Sequence, residues 1–174
     1  MKFEVTLKQL IENEACISGY NKVVSALKGI EFDSDRETYI RFNHDEPISL
    51  ISILETNGID DALWCLRCNR EWDRDSRLFA VWCARQVQHL MTDERSLNAL
   101  NVSENFANGN STKEELSAAW DAAWDAAWDA ALAAARDASW DASWDAALDA
   151  ARDAQKEMFI KMCNGEAPWQ VKKG

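Results

Sequence analysis

The sequence predicts a mainly α protein: a short-helix N-terminal part, then one long helix, straight or curved, built on an Ala/Trp/Asp repeat of four residues. Three observations predict it. The 174 residues include only 6 Gly and 2 Pro, which leaves long stretches free to be helical. Apolar residues recur at three- and four-residue intervals between polar stops, the spacing of amphipathic helices. From Thr112 to Glu157 the chain is dominated by Ala, the strongest helix former. At most one short strand is expected, near 38–42.

The elements follow in chain order. Thr6 and Gln9 form a capping-box pattern ahead of Leu7, Leu10 and Ile11. A second helix is expected from about Ser18 to Leu27, with Tyr20, Val23, Val24 and Leu27 on one side and Gly29 as its stop. Thr38-Tyr39-Ile40-Arg41-Phe42 alternates and is β-rich, so a short strand or extended segment fits there. Pro47 suits the first turn of a helix through Ile48, Leu50, Ile51 and Leu54, which Asn57-Gly58 ends. Asp60 is placed to cap the next helix, with Leu63, Trp64 and Leu66. Asp73 or Asp75 opens another, carrying Leu78, Phe79, Trp82, Val87 and Leu90. Asp93 caps a further helix with Leu97, Leu100 and Phe106, ending at Asn108-Gly109. Ser111, Thr112, Glu114 and Glu115 form a capping-box signature in which either hydroxyl can take the cap. Helix is expected from about 112 to 163, ended by Asn164-Gly165, with Pro168 preventing its resumption. Composition thus divides the chain into an N-terminal module (1–46), a helical core (47–110), the repeat helix (111–164) and a tail (165–174), expected to form one compact unit.

Charge and composition narrow the function classes. A hydrophobic share of 47% excludes wholesale disorder despite 28% charged residues. With 30 acids against 19 bases the net charge is −11, which repels phosphates and argues against direct nucleic-acid or anionic-membrane binding. No run of 18 apolar residues spans a bilayer, and the start lacks the apolar stretch of a secretory signal. Five Cys without export imply reduced thiols, so a cytoplasmic protein is expected.

The repeat has a geometric consequence. Trp120-Asp121, Trp124-Asp125 and Trp128-Asp129 open it, and Trp140-Asp141 and Trp144-Asp145 continue it. Leu132, Arg136, Leu148 and Arg152 take the remaining large positions. Four residues overshoot one helical turn by ~40°, so the large-residue stripe winds ~320° between Trp120 and Arg152. A straight seam against one neighbour cannot bury all five Trp. Helix throughout, the segment would be ~75 Å long, which suits a hub, a projection into a partner, or a homodimer seam. The Trp series reads either as core packing or as a recognition surface, where Trp is enriched. The Asp series reads either as a solvated face or as a phosphate-like ladder with a charge about every 6 Å. The candidate partner-binding residues are therefore Asp121, Asp125, Asp129, Asp141 and Asp145, with Trp120, Trp124, Trp128, Trp140 and Trp144.

Sequence offers little catalytic chemistry. Cys65 and Cys68 form C-x-x-C, and Cys83 and His89 complete a weak zinc-like spacing. The pair falls in an expected amphipathic helix without a turn-forming Gly or Pro, so small buried thiols fit it better. No Gly-rich phosphate loop, nucleophile elbow or H-E-x-x-H occurs. No enzyme activity and no cofactor are expected.

Several segments resemble one family. Gly58-Ile59-Asp60-Asp61-Ala62-Leu63-Trp64-Cys65-Leu66-Arg67 is similar to its DALWALR segment. Arg77-Leu78-Phe79-Ala80 and Cys83-Ala84-Arg85-Gln86-Val87-Gln88-His89-Leu90 are similar to its RLFACDCAERVLHL segment. Phe106-Ala107-Asn108-Gly109 and Thr112-Lys113-Glu114-Glu115-Leu116, with the tract beyond, resemble its RRFANGEATEEELAAAWAAAWDAA segment. This is the alanine-rich family that carries the name of immunity proteins, common in bacteria and tailed phages. The resemblance covers about residues 47–155. Leu7 to Gly19 resembles a short module that phage proteins place before it. The resemblance implies a helical, non-enzymatic protein that neutralises a toxin by binding. This chain departs in placing Asp in nearly every tetrad. The expectation is a phage-type accessory protein acting on a host protein, as an acidic inhibitor of a host-defence or nucleic-acid enzyme. The alternatives are a toxin-neutralising immunity protein and a self-assembling structural protein.

Overall fold

The computed structural model describes residues 2–86, 88, 91, 93–122 and 143–171. It is mainly helical, with one short two-stranded sheet. The chain divides into two units, Met1–Trp72 with Gln155–Gly174, and Asp73–Ala154. The first unit joins segments that are remote in sequence.

The first unit begins with β1 (Glu4–Val5) and α1 (Leu7–Glu12). The Thr6 capping box forms: its hydroxyl accepts from the Gln9 N–H, and the Gln9 side chain accepts from the Thr6 N–H at 2.9 Å. α1 is capped by Asn13 and followed by Glu14, whose φ of 62° is left-handed, a region that costs a side-chain-bearing residue about 1–2 kcal/mol. That geometry lets the Ala15 N–H reach the Leu10 carbonyl at 2.9 Å, with Leu10 and Ala15 both buried. α2 (Ile17–Lys28) stops at Gly29. β2 (Ile48–Ser49) pairs antiparallel with β1, Glu4 opposite Ser49 and Val5 opposite Ile48. α3 (Leu50–Asn57), α4 (Ile59–Trp64) and the 3₁₀ turns Cys65–Cys68 and Arg70–Trp72 complete the run. Val5, Val24, Leu50, Ile53, Trp72, Phe159 and Met162 are its largest fully buried apolar side chains. Phe3 packs on Trp72 with ring centroids 5.1 Å apart.

Two local expectations change here, and one alternative is decided. The segment at 38–42 is neither helix nor strand. Its hydrogen bonds go to α2 instead: the buried Asn21 amide donates to the Thr38 carbonyl at 3.0 Å and accepts from the Ile40 N–H at 2.9 Å. The helix expected from Pro47 starts at Leu50, because Ile48 and Ser49 pair with β1 and the Ser49 hydroxyl takes the cap. Asp60 does not cap α4; Gly58 holds that position without a side-chain bond, and Asp60 and Asp61 lie in the first turn.

The second unit rests on α5 (Asp73–Gln86) and α6 (Glu94–Ala107). Asp93 caps α6, and hydrogen bonds from the Arg95 side chain and backbone hold its carboxyl below the usual range. Arginines of α5 reach α6 in antiparallel order: Arg74 to Asn108 at 3.0 Å, Arg77 over the Phe106 ring at 5.0 Å, and Arg85 to Glu104 at 2.7 Å. Residues 113–122 form α7. Its capping box uses Thr112, whose hydroxyl accepts from the Glu115 N–H while Glu115 accepts from the Thr112 N–H.

α8 (Ser143–Cys163) is counted with the second unit up to Ala154 and with the first from Gln155. It ends as expected. The Gly165 N–H bonds the Met162 carbonyl and the Glu166 N–H bonds the Lys161 carbonyl, a pattern requiring the left-handed φ of 77° that Gly165 adopts. Where one helix was expected over 112–163, α7 and α8 occupy 113–122 and 143–163, and 123–142 lies outside the described residues.

Candidate functional site

The repeat tract begins on α7. Ala119 is buried, while its neighbours Trp120 and Asp121 are exposed, Trp120 by 57%. Consecutive helical residues point ~100° apart, so α7 turns its small side chain inward and its largest outward. Trp144 and Asp145 lie on α8. Trp124, Trp128, Trp140, Asp125, Asp129 and Asp141 lie outside the described residues.

The cysteines are spread over both units. Cys65 and Cys68 stand one turn apart on a 3₁₀ segment rather than on the expected amphipathic helix. Burial pushes the Cys65 thiol up to about 12, with the charges of Cys68 and Asp61 adding to the effect. Burial also raises Cys68, against the opposing charge of Arg67. Cys83 belongs to α5 and the other unit, where burial lifts it to about 11 against a backbone hydrogen bond that lowers it. Cys163 is raised to about 12 by burial alone. Such thiols stay protonated near neutrality and are poor nucleophiles and metal ligands. His89 lies outside the described residues, among which no three His, Cys, Asp or Glu side chains gather as a metal requires.

Sequence reasoning missed a cleft in the first unit, of about 180 Å³, between α1, α2, α3 and α4. Leu10, Val23 and Ile53 supply apolar walls, and Tyr20 and Trp64 aromatic ones. At its edge Asn57 donates to the Gly19 carbonyl and to an Asp61 carboxylate oxygen, each at 2.8 Å. Gly19 permits this approach, since a Cβ there would stand 3.0 Å from Asp61 and 3.2 Å from the Cys16 sulfur. Asp61 lies in the first turn of α4, and nothing in the local sequence pairs it with a glycine 42 positions earlier. The cleft is smaller than the ~300–1,000 Å³ of cofactor-sized sites, so it admits a side chain or a few waters.

The chain matches no family model, no curated protein and no solved structure. No helix among the described residues is long and apolar enough to cross a membrane.

Proposed function

We propose that this protein works by binding another protein, without chemistry of its own. The reading is a phage-type accessory factor, an acidic helical inhibitor of a host-defence or nucleic-acid enzyme. One observation carries it: Trp120 stands 57% exposed beside exposed Asp121, where the acidic tract begins. Residues 112–157 carry eleven acids against four bases. A large aromatic left in water beside like charges suits a basic partner that buries the ring, since Trp dominates interface energetics. The high-lying Cys65, Cys83 and Cys163 thiols support a non-enzymatic reading. The resemblance of residues 47–155 to the immunity family supports a second binding function, neutralisation of a toxin.

Affinity capture from bacterial lysate tests this, comparing the unmodified chain with Trp120→Ala and with a variant carrying Asn at Asp121, Asp125, Asp129, Asp141 and Asp145. A nucleic-acid enzyme lost from both variants supports the inhibitor reading, and a toxin lost from both supports the immunity reading. Recovery of the chain's own copies alone supports self-assembly. Undiminished capture by variants of unchanged helicity removes the tract from the binding surface.

A further inference from the structure

The segment between α2 and β2 distributes its charges unevenly. Glu31, Asp33, Asp35, Glu37, Asp45 and Glu46 make it acidic overall. Yet the hollow that it forms with the end of α2 is lined by Lys28, Arg36 and Arg41 and by none of those acids. None of the three cations has an ion pair among the described residues. Lys28 lies 5.6 Å from the Phe42 ring centroid, a contact that leaves its ammonium without an anion. In a chain of 30 acids and net charge −11, a hollow lined by three cations and no acid is a local concentration of positive charge suited to an anionic ligand.

The hollow is also held in shape. Asn21, 1% exposed, spends both ends of its amide on Thr38 and Ile40, which fixes the backbone between the two arginines. The Tyr39 hydroxyl donates to the Ala15 carbonyl at 2.6 Å, and its ring meets Tyr20 edge-on at 5.2 Å. Tyr39 nevertheless remains 39% exposed, so a fixed aromatic surface borders the cations. The volume, about 560 Å³, lies within the range that small organic ligands occupy.

We propose that this hollow binds a small phosphate-bearing ligand with a planar ring, of mononucleotide size. Arg36 and Arg41 bond phosphate oxygens through their planar forks, Lys28 adds charge, and Tyr39 offers the ring a stacking face. A small ligand fits better than a polymer. A small ligand contacts only the lining, which holds no acid, whereas a long polyanion would run past the acids of the same segment.

Titration calorimetry of the whole chain in ~0.15 M salt tests the assignment, with ADP, inorganic pyrophosphate, adenosine and a short single-stranded DNA as probes. ADP should bind saturably with a Kd below about 1 mM, and both pyrophosphate and adenosine should bind more weakly. Arg36→Gln and Arg41→Gln, both at exposed positions, should each weaken ADP about tenfold or more while leaving the circular dichroism and melting curve unchanged. Tyr39→Phe keeps the ring face but gives up the bond to Ala15, and should weaken ADP less than either arginine variant. Absence of ADP saturation, or unaltered ADP affinity in both arginine variants, overturns the site. Pyrophosphate binding as tightly as ADP overturns the stacking role, and DNA binding more tightly than ADP overturns the ligand class.

Discussion

The two units are held together by different means. In the first, side chains clamp backbone over long distances in sequence: Asn21 to Thr38 and Ile40, Tyr39 to Ala15, Asn57 to Gly19. Its apolar core draws on both ends of the chain, since Phe159 and Met162 are as buried as Val5 and Leu50. In the second, Leu78, Phe79 and Val81 of α5 are buried, while arginines link α5 to α6 through exposed contacts such as the Arg85–Glu104 ion pair, 31% and 45% exposed. The Ile40 N–H to Asn21 bond is buried and so expensive to break, and the other three are part-buried. Solvent screening makes the arginine contacts of the second unit cheap.

The largest expected effect comes from Phe159→Ala, which should cost about 3–5 kcal/mol if the C-terminal segment belongs to the first core. Chemical denaturation measures it, and a loss under 1 kcal/mol would detach that segment from the unit. Next is Asn21→Ala, expected to cost about 1–3 kcal/mol by orphaning the buried Ile40 N–H. Hydrogen exchange at Ile40 should accelerate ahead of global unfolding, and unchanged protection would refute the clamp.

Glu14→Gly should act in the opposite direction. It relieves the left-handed φ of 62° but gains unfolded-state entropy, for a net stabilisation of up to about 1 kcal/mol. A lower melting temperature would contradict it. The smallest effect belongs to the second unit: Glu104→Gln should change stability by about 0–1 kcal/mol, fading in high salt. A loss above 2 kcal/mol would erase the contrast between the units.

Thiols extend the comparison to pH. Cys65, Cys83 and Cys163 have folded values raised above their ordinary 9.0, so the unfolded chain ionises first. Their contribution is intact below pH 9 and is lost as pH climbs from 9 towards about 12. Replacing Cys65 and Cys163 by Ala or Ser should flatten the alkaline fall in melting temperature; an unchanged profile would show that other groups set it. In the native protein the exposed Cys16 should react with a thiol reagent before the others.

What the sequence determined by itself was the set of helix ends whose partners lie within three to five residues. The boxes at Thr6–Gln9 and Thr112–Glu115, the Asp93 cap, and the stops at Gly29, Gly109 and Gly165 all follow from the local chain. Of the site proposed for a protein partner, its residue types and spacing were legible in the tetrads, as was the choice between a buried and an exposed Trp. The exposure of Trp120 was decided by which side of α7 is covered, and tetrad spacing carries no such information. Tertiary structure alone decided the pairing of Glu4–Val5 with Ile48–Ser49, which moved a helix start from Pro47 to Leu50. It turned the β-rich 38–42 segment into a strap, because a buried amide on α2 outcompeted any strand as its partner. It also gathered Lys28, Arg36 and Arg41 around one hollow within an acidic stretch. Those outcomes depend on groups brought together across long loops, where the winning partner is set by burial and geometry rather than by neighbouring residues.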